Sequence, residues 1–248
     1  MADVERINPY LDDGRAKNEQ VRSMFDAIAP AYDFMNRAMT FGLDRLWLRR
    51  LVKAASADAP HTVADLATGT GDVAFALARR MPQASIIGLD LSEGMLAKAR
   101  AKAASMGNAA ANISFEQADC LATGLPEASA DAVTIAYGVR NYADIAAGYS
   151  EMFRILRPGG KLCVLELSTP VAWLPKLFYK LYTRTLIPFA GRLLSHDPRA
   201  YSYLPESIAA APQGADMTAI MASEGFVRTS FSRFTFGVCT LYTAYKPE

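Results

Sequence analysis

The chain has 248 residues, of which 51% are hydrophobic and 21% are charged, and this composition excludes a disordered or low-complexity protein. The 26 lysine and arginine residues nearly balance the 25 acidic ones, so the net charge of +1 gives no reason to expect a nucleic-acid partner. Three scattered cysteines and two histidines form no disulfide framework or zinc spacing. Together with a polar N-terminus and no long uncharged apolar run, this predicts a cytoplasmic, metal-free protein that does not span a membrane.

Before residue 60, apolar residues recur three and four positions apart, which is the spacing of an amphipathic helix. Two such sets occur: Val21, Met24, Phe25 and Ile28, then Leu43, Leu46, Trp47 and Leu51. They predict a helical N-terminal lid over residues 1–58.

From residue 62 onward, short apolar runs alternate with helical stretches. The predicted strands are 62–67, 85–90, 113–116, 132–137 and 161–167, and the predicted helices are 72–81, 93–106 and 142–156. Strands connected by crossover helices are parallel, so this order predicts an α/β fold with a doubly wound, mostly parallel sheet. Sheets of this kind bind ligands at the carboxyl ends of their strands.

Residues 170–205 break the alternation and are expected to form an insert on the substrate side. After them, a short helix near 215–224 precedes two strand-like segments, 226–234 and 238–245. These two segments predict an antiparallel hairpin that closes the sheet. Because neither an internal repeat nor a linker is visible, we expect residues 1–248 to form a single domain.

The sharpest local signal is a strand that enters a glycine turn and then a helix, with the sequence TVADLATGTGD over 62–72. Gly69 and Gly71 allow the backbone to approach a ligand closely, and the helix N-terminus behind them favours negative charge. Asp90 lies 21 positions after Gly69, at the end of the next strand, where its carboxylate suits a pair of ribose hydroxyls. This pattern indicates a nucleoside-type ligand, and by itself it also suits a dinucleotide.

Two further acids favour S-adenosylmethionine. Asp65 ends the first strand, where a carboxylate would repel a pyrophosphate and attract an ammonium group. Asp119 follows the third strand and can accept a hydrogen bond from an adenine amino group. Each acid could instead cap its own turn, and Asp72 could simply complement the helix dipole.

Motifs at 65–72, 88–92, 117–119, 131–135 and 157–160 together resemble those of class I S-adenosylmethionine-dependent methyltransferases, which have a Rossmann-like fold. The stretches FDAIAPAYDFMN over 25–36, YGVRN over 137–141 and YSYLPES over 201–207 narrow the resemblance to the ubiquinone/menaquinone biosynthesis C-methyltransferase family. The resemblance covers about residues 18–246. It implies transfer of a methyl group from S-adenosylmethionine to a ring carbon of a polyprenylated quinol. Demethylmenaquinol is the leading acceptor, and the benzoquinol precursor of ubiquinone, or both, is the alternative.

The resemblance also implies roles for individual residues at the cofactor. Thr70 and Asp90 would contact its methionine and ribose parts, Asp119 and Cys120 would flank the adenine, and Met95 would pack on the purine unless it is ordinary core. The full set of expected cofactor contacts is Asp65, Ala67, Gly69, Thr70, Gly71, Asp90, Met95, Asp119, Cys120 and Ala136. Two of these depart from common patterns: Ala67 replaces a glycine, and Ala136 replaces a serine found in some relatives, so only a backbone contact is expected there.

The acceptor chemistry points to a second set of residues. An aromatic carbon attacks a methyl group only when it is electron-rich, so the reduced quinol is reactive and the oxidised quinone is inert. Arg140 and Asn141 follow the fourth strand, and Arg140 is expected to stabilise the developing phenolate or to organise a water that takes the proton. Glu166 either receives that proton or holds Arg140. Tyr201 is the fourth predicted catalytic residue, and Tyr201 and Tyr203 would offer a flat wall to the ring.

The insert carries apolar residues at helical spacing from 174 to 186, with Lys176, Lys180 and Arg184 on other faces. Such a basic amphipathic helix is typical of a cover over the active site or of a contact with a membrane surface, and both can hold. A homodimer is left open. A nicotinamide-dependent reductase is the alternative from another enzyme class, and Asp65 disfavours it.

Overall fold

The computed structural model describes residues 2–11, 13–177, 179, 181 and 198–248. Its N-terminal part contains α1 (Lys17–Ile28), α2 (Tyr32–Met39) and α3 (Asp44–Ala55). The alternating part that follows consists of β1 (Thr62–Leu66), α4 (Asp72–Arg80), β2 (Ser85–Asp90), α5 (Glu93–Met106), β3 (Ile113–Gln117), β4 (Ala130–Ala136), α6 (Ile145–Ile155) and β5 (Leu156–Leu167). The C-terminal part contains α7 (Pro198–Ala210), α8 (Ala215–Ser223), β6 (Val227–Phe234) and β7 (Cys239–Tyr245).

In the described part of the chain, seven strands form one sheet in the order β3-β2-β1-β4-β5-β7-β6. The pairs from β3 to β5 are parallel, and β7 runs antiparallel to both β5 and β6. The predicted doubly wound sheet with an antiparallel C-terminal hairpin is therefore confirmed. The strand order changes direction between β1 and β4, and a crevice for ligands forms outside the carboxyl ends of such strands.

Both faces of the sheet are covered because apolar side chains alternate between two cores along each strand. Val63 and Cys163 point towards the core built with α3 and α4. Val133 and Val164 point towards the opposite core, which is built with α6 and α8. Burial on both faces explains why these strands read as nearly continuous apolar runs.

The predicted N-terminal lid divides into two parts. α3 buries Trp47 and Leu51 against α4 and the sheet, and the Trp47 indole donates a hydrogen bond to Thr235 Oγ1 at 2.8 Å. This helix is therefore part of the sheet's cover. Only α1 and α2, called the lid helices below, reach over the carboxyl ends of the strands, where Asp26 and Asp33 bond to residues that follow β2 and β1.

Two elements begin three or more residues from their predicted starts. α6 begins at Ile145, because Asp144 caps it by accepting the Ala147 N–H at 2.9 Å. β5 begins at Leu156, before its glycines, because a bulge in the pairing with β4 accommodates the extra residues. Most of the predicted amphipathic helix lies outside the described residues. Within the described ranges, no helix is both long and apolar enough to cross a membrane.

Candidate active site

Two joined cavities lie at the carboxyl ends of the central strands. The larger, of about 620 Å³, extends from the glycine turn and the segment after β4 to α2, the start of α3 and α7. The smaller, of about 80 Å³, lies between α1 and the ends of β2 and β3. They share Phe25, Tyr32, Ala67, Gly69, Ala136, Tyr137 and Asn141 as a common wall. The two cavities therefore form one continuous site with two adjacent parts along the carboxyl ends of the strands.

Seven predicted cofactor residues line the smaller cavity: Ala67, Gly69 and Ala136 on the common wall, and Asp90, Met95, Asp119 and Cys120 in the smaller cavity alone. The Asp90 carboxylate accepts the backbone N–H of Gly69 at 2.7 Å and of Ser92 at 2.9 Å, so it joins β2 to the glycine turn. Burial raises the pKa of Asp90 to about 6, because its charged form loses solvent. Burial also raises the pKa of Cys120 to about 12, so its thiol is neutral at physiological pH.

Asp65 does not have the surroundings that the sequence predicted. Its carboxylate accepts hydrogen bonds from Thr68 Oγ1 at 2.6 Å and Thr134 Oγ1 at 2.7 Å, and it lines neither cavity. Burial raises the pKa of Asp65 to about 7. Asp65 therefore ties the glycine turn to β4, and its expected contact with an ammonium group stays a prediction.

The glycine turn is formed by residues in the left-handed region, with φ +49° at Ala67, +57° at Gly69 and +86° at Gly71. A Cβ at Gly71 would lie 2.7 Å from the Phe75 ring and 2.9 Å from the Phe115 ring, so glycine is required there. Gly69 and Ala67 line both cavities, whereas Gly71 lines neither. Gly71 therefore shapes the turn, and its predicted contact with the ligand stays a prediction.

Thr70 lines the larger cavity and is held by the lid. Its hydroxyl donates to Asp33 Oδ1 at 2.5 Å and accepts from Lys102 Nζ at 2.9 Å. Lys102 also pairs with Asp33 at 2.7 Å and with Asp72 at 3.0 Å. This Asp33–Thr70–Lys102–Asp72 group, called the latch below, fastens a lid helix to the loop expected to hold the cofactor. The sequence analysis missed Lys102, because only the fold brings it to the loop.

Arg140 and Glu166 form a buried ion pair behind the larger cavity, with Nη1 and Oε1 2.6 Å apart. Burial alone would lower the pKa of Arg140, and the neighbouring Glu166 more than offsets this, so the pKa is raised and the guanidinium stays charged. The Glu166 carboxylate also accepts the Arg140 and Leu167 backbone N–H groups, and Glu166 lines neither cavity. Of the two predicted roles for Glu166, the geometry favours holding Arg140 over receiving a proton.

Besides the Tyr137 hydroxyl, which interacts with the Cys239 thiol, three buried polar atoms of residues that line the larger cavity have no hydrogen-bond partner within the described residues: Arg140 Nε, Asn141 Oδ1 and Tyr203 Oη. Burial raises the pKa of Tyr203 to about 12, so its hydroxyl is neutral. Buried polar atoms normally have partners, so these three mark a place for a polar ligand group.

One of the two tyrosines predicted beside the acceptor lies at the larger cavity. Tyr203 lines this cavity, whereas the side chain of Tyr201 lies outside the described part of the structure. The role of Tyr201 therefore stays a prediction.

In the described segments, no group of three histidine, cysteine or acidic side chains is arranged to hold a metal ion. Most of the side chains that line the larger cavity are apolar. Its polar residues are Arg140, Asn141 and the tyrosines, together with acids, an amide and threonines from the lid helices, the glycine turn and its surroundings: Asp33, Asn36, Thr40, Asp44, Thr68, Thr70, Asp72 and Thr235. Such a site suits an apolar ring that carries a few hydroxyl or carbonyl groups.

Solved structures share this architecture. A protein named as a possible histamine N-methyltransferase from Thermotoga maritima aligns with a TM-score of 0.65 at 16% identity, over 91% of this chain and 99% of that one. Phosphoethanolamine N-methyltransferase 2 of Haemonchus contortus, solved with S-adenosyl-L-methionine, gives a TM-score of 0.61 at 15% identity, over 81% and 52% of the two chains. The fold is thus that of the class I S-adenosylmethionine-dependent methyltransferases.

Sequence comparison identifies the family. The ubiE/COQ5 methyltransferase family matches residues 14–246. A demethylmenaquinone methyltransferase of Bacteroides fragilis is 44% identical over 98% of both chains. The ubiquinone/menaquinone biosynthesis C-methyltransferase UbiE of Geobacter sulfurreducens is 45% identical over 93% of this chain and 90% of its own. The chain belongs to the ubiE/COQ5 methyltransferase family, which confirms the predicted resemblance.

Proposed function

We propose that this enzyme transfers a methyl group from S-adenosylmethionine to a ring carbon of demethylmenaquinol, giving menaquinol. The observation that carries the proposal is the large, mostly apolar cavity with three unpartnered polar atoms in its lining residues, beside a smaller cavity lined by residues predicted to bind the cofactor. Several relatives of similar length, 42–44% identical to this chain, are named demethylmenaquinone methyltransferase.

The residues of the smaller cavity fit S-adenosylmethionine. Asp90 offers a carboxylate to the ribose hydroxyls, Met95 offers an apolar face to the purine, and Asp119 offers an acceptor to the adenine amino group. Ala136 and Gly69 lie at the junction of the cavities and have no long side chain to separate the two reactants. When bound, the cofactor supplies the electrophilic methyl group.

Arg140 is the residue best placed to act on the acceptor. Its guanidinium remains charged, and its Nε–H is free to donate to an acceptor oxygen. A fixed positive charge beside the hydroxyl favours loss of its proton and stabilises the resulting phenolate, which makes the neighbouring ring carbon nucleophilic. Because Arg140 is a poor base, a water takes the hydroxyl proton in this scheme. After the ring carbon has bonded to the methyl group and the methyl–sulfur bond has broken, the ring carbon loses its hydrogen as a proton and the oxygen regains one, which restores the aromatic quinol. Glu166 keeps the guanidinium in position, and Tyr203 adds a hydroxyl at the ring.

The mouth of the larger cavity suits an apolar tail at a membrane surface. Phe41 and Phe236 both line the cavity and yet are 78% and 81% exposed, and Leu174 lines it nearby. A prenyl tail leaving the cavity passes these side chains, and we infer that they contact the bilayer that holds the tail. Replacing Phe41 and Phe236 together by serine should reduce binding to vesicles, whereas the same change at Phe34, which is exposed but does not line the cavity, should not.

Methyl transfer measured by mass spectrometry tests the proposal. The enzyme is given isotopically labelled S-adenosylmethionine with reduced demethylmenaquinol and, separately, with the benzoquinol precursor of ubiquinone. Label in the naphthoquinol alone supports a menaquinone enzyme, and label in both supports a bifunctional one. Label in neither, although S-adenosylhomocysteine binds, would contradict the proposed acceptor class. Binding of NADH without S-adenosylhomocysteine would contradict the methyl donor as well.

A further inference from the structure

The side-chain amide of Asn141 has one hydrogen-bond acceptor that is left for the ligand. It lies in the short turn after β4 and lines both cavities. Its Nδ2 donates to the backbone oxygen of Tyr137 at 3.3 Å, and because a carbonyl oxygen can only accept, this bond fixes which end of the amide is nitrogen. The remaining atom, Oδ1, is buried and has no partner among the described residues. A buried atom that can only accept hydrogen bonds is therefore left for the ligand.

The other two unpartnered atoms do not share this property. Arg140 Nε can only donate, and the Tyr203 hydroxyl can both donate and accept. Either of them can bond to an acceptor oxygen whether that oxygen belongs to a hydroxyl or to a carbonyl. Asn141 Oδ1 alone of the three needs a ligand group that carries a hydrogen.

We propose that Asn141 is a specificity-determining residue that selects the reduced, hydroxyl-bearing form of the acceptor over the oxidised quinone at the binding step. This inference rests on the proposed function, because it takes the acceptor to be a quinol. A quinol hydroxyl donates to Oδ1, whereas a quinone carbonyl sets one lone pair against another and leaves Oδ1 buried without a donor. The enzyme thus avoids occupying its site with a molecule that cannot be methylated.

The test compares the affinities of the two redox forms in the absence of turnover. Dissociation constants of a short-chain naphthoquinone and its dithionite-reduced naphthoquinol are measured anaerobically on the full-length enzyme saturated with S-adenosylhomocysteine. The wild type should bind the naphthoquinol roughly tenfold more tightly, the effect expected of one satisfied buried hydrogen bond. Asn141→Leu should bring the ratio of the two constants close to one, mainly by weakening the naphthoquinol.

Two further variants separate this role from a merely structural one. Tyr203→Phe removes a hydroxyl that serves both redox forms, so it should weaken both and preserve their ratio. Asn141→Asp keeps an acceptor oxygen at the same place, so it should retain the preference for the naphthoquinol even though the bond to Tyr137 is altered.

Several outcomes would overturn the inference. These are equal binding of both forms to the wild type, an unchanged ratio in Asn141→Leu, or a loss of S-adenosylhomocysteine affinity in that variant as large as its loss of naphthoquinol affinity. The last result would show that Oδ1 serves the cofactor. If neither redox form binds to the wild type while S-adenosylhomocysteine does, the proposed acceptor class itself is wrong and the inference falls with it.

Discussion

Substitutions in the buried Arg140–Glu166 pair can separate the contribution of these residues to stability from their contribution to turnover. We expect Glu166→Gln to destabilise the fold, because it leaves the Arg140 charge buried without a counter-charge. The side chains of Arg140 and Glu166 are only 7% and 2% exposed, so solvent cannot replace the lost carboxylate. The variant should also lower turnover, because the guanidinium loses one of the groups that orient it.

The size of the effect follows from this burial. Removing one partner of a buried ion pair costs about 3–5 kcal/mol. Glutamine keeps one acceptor oxygen for the Arg140 Nη1–H, so we expect the lower end, about 3 kcal/mol in the free energy of unfolding. For a chain of this length, that corresponds to a fall in Tm of roughly 6–12 °C.

Thermal unfolding followed by circular dichroism measures the effect, with Glu93→Gln as the matched control. The Glu93–Arg100 pair is half-exposed, so its loss should change stability by less than about 1 kcal/mol. The double variant Arg140→Met/Glu166→Gln should regain much of the lost stability and yet remain inactive. A Glu166→Gln enzyme with unchanged Tm, or a double variant that recovers activity, would refute the assignment of Glu166 as the positioning partner of Arg140.

Three further expectations concern the cofactor compartment and the lid. The pKa of Asp90 is about 6, and its ionised carboxylate is the form that accepts hydrogen bonds from ribose hydroxyls. The affinity for S-adenosylhomocysteine, measured by calorimetry, should therefore fall about tenfold from pH 7 to pH 5. An affinity that does not change with pH would show that Asp90 does not bind the ribose. Gly71→Ala should lower the free energy of unfolding, measured by chemical denaturation, by about 1–3 kcal/mol, because φ is +86° and the new Cβ would clash with two aromatic rings. A variant as stable as the wild type would show that the turn can rearrange to accept a side chain. Lys102→Met should remove the ion pair with Asp33 and speed proteolysis of the lid helices about fivefold, which corresponds to a loss of roughly 1 kcal/mol. Arg100→Met on the same helix should leave the proteolysis rate unchanged. Equal proteolysis rates in the two variants would show that the latch does not hold the lid helices.

The sequence predicted the fold well, because its signals are local. β2 and α5 have their predicted bounds, since apolar periodicity and an N-cap at Ser92 mark them directly. The predicted lid included α3, whose apolar side packs against α4 and the sheet, because an amphipathic helix shows which side is apolar without showing what covers that side. Its partner is the sheet, and only the tertiary structure reveals this.

The roles of the site residues were predicted less well than the fold. Asp90, Met95 and Asp119 line the expected cavity, because the ends of parallel strands must meet at one edge of the sheet. Asp65 was assigned to the ligand, and Glu166 either to the proton or to Arg140. In the structure the Asp65 oxygens bond to Thr68 and Thr134, and Glu166 pairs with Arg140. A carboxylate in a motif looks the same in sequence whether it faces a ligand or a neighbouring hydroxyl, so this distinction requires the structure.

The most direct test of the account asks which atom of the acceptor receives the methyl group. The enzyme is given S-adenosylmethionine and a reduced naphthoquinol analogue that carries deuterium on the ring carbon to be methylated. Methylation at that carbon replaces the deuterium, so we predict that each product molecule has gained one methyl group and lost its label. A methylated product that retains the deuterium would place the methyl group on another atom and would contradict C-methylation in the cavity beside Arg140.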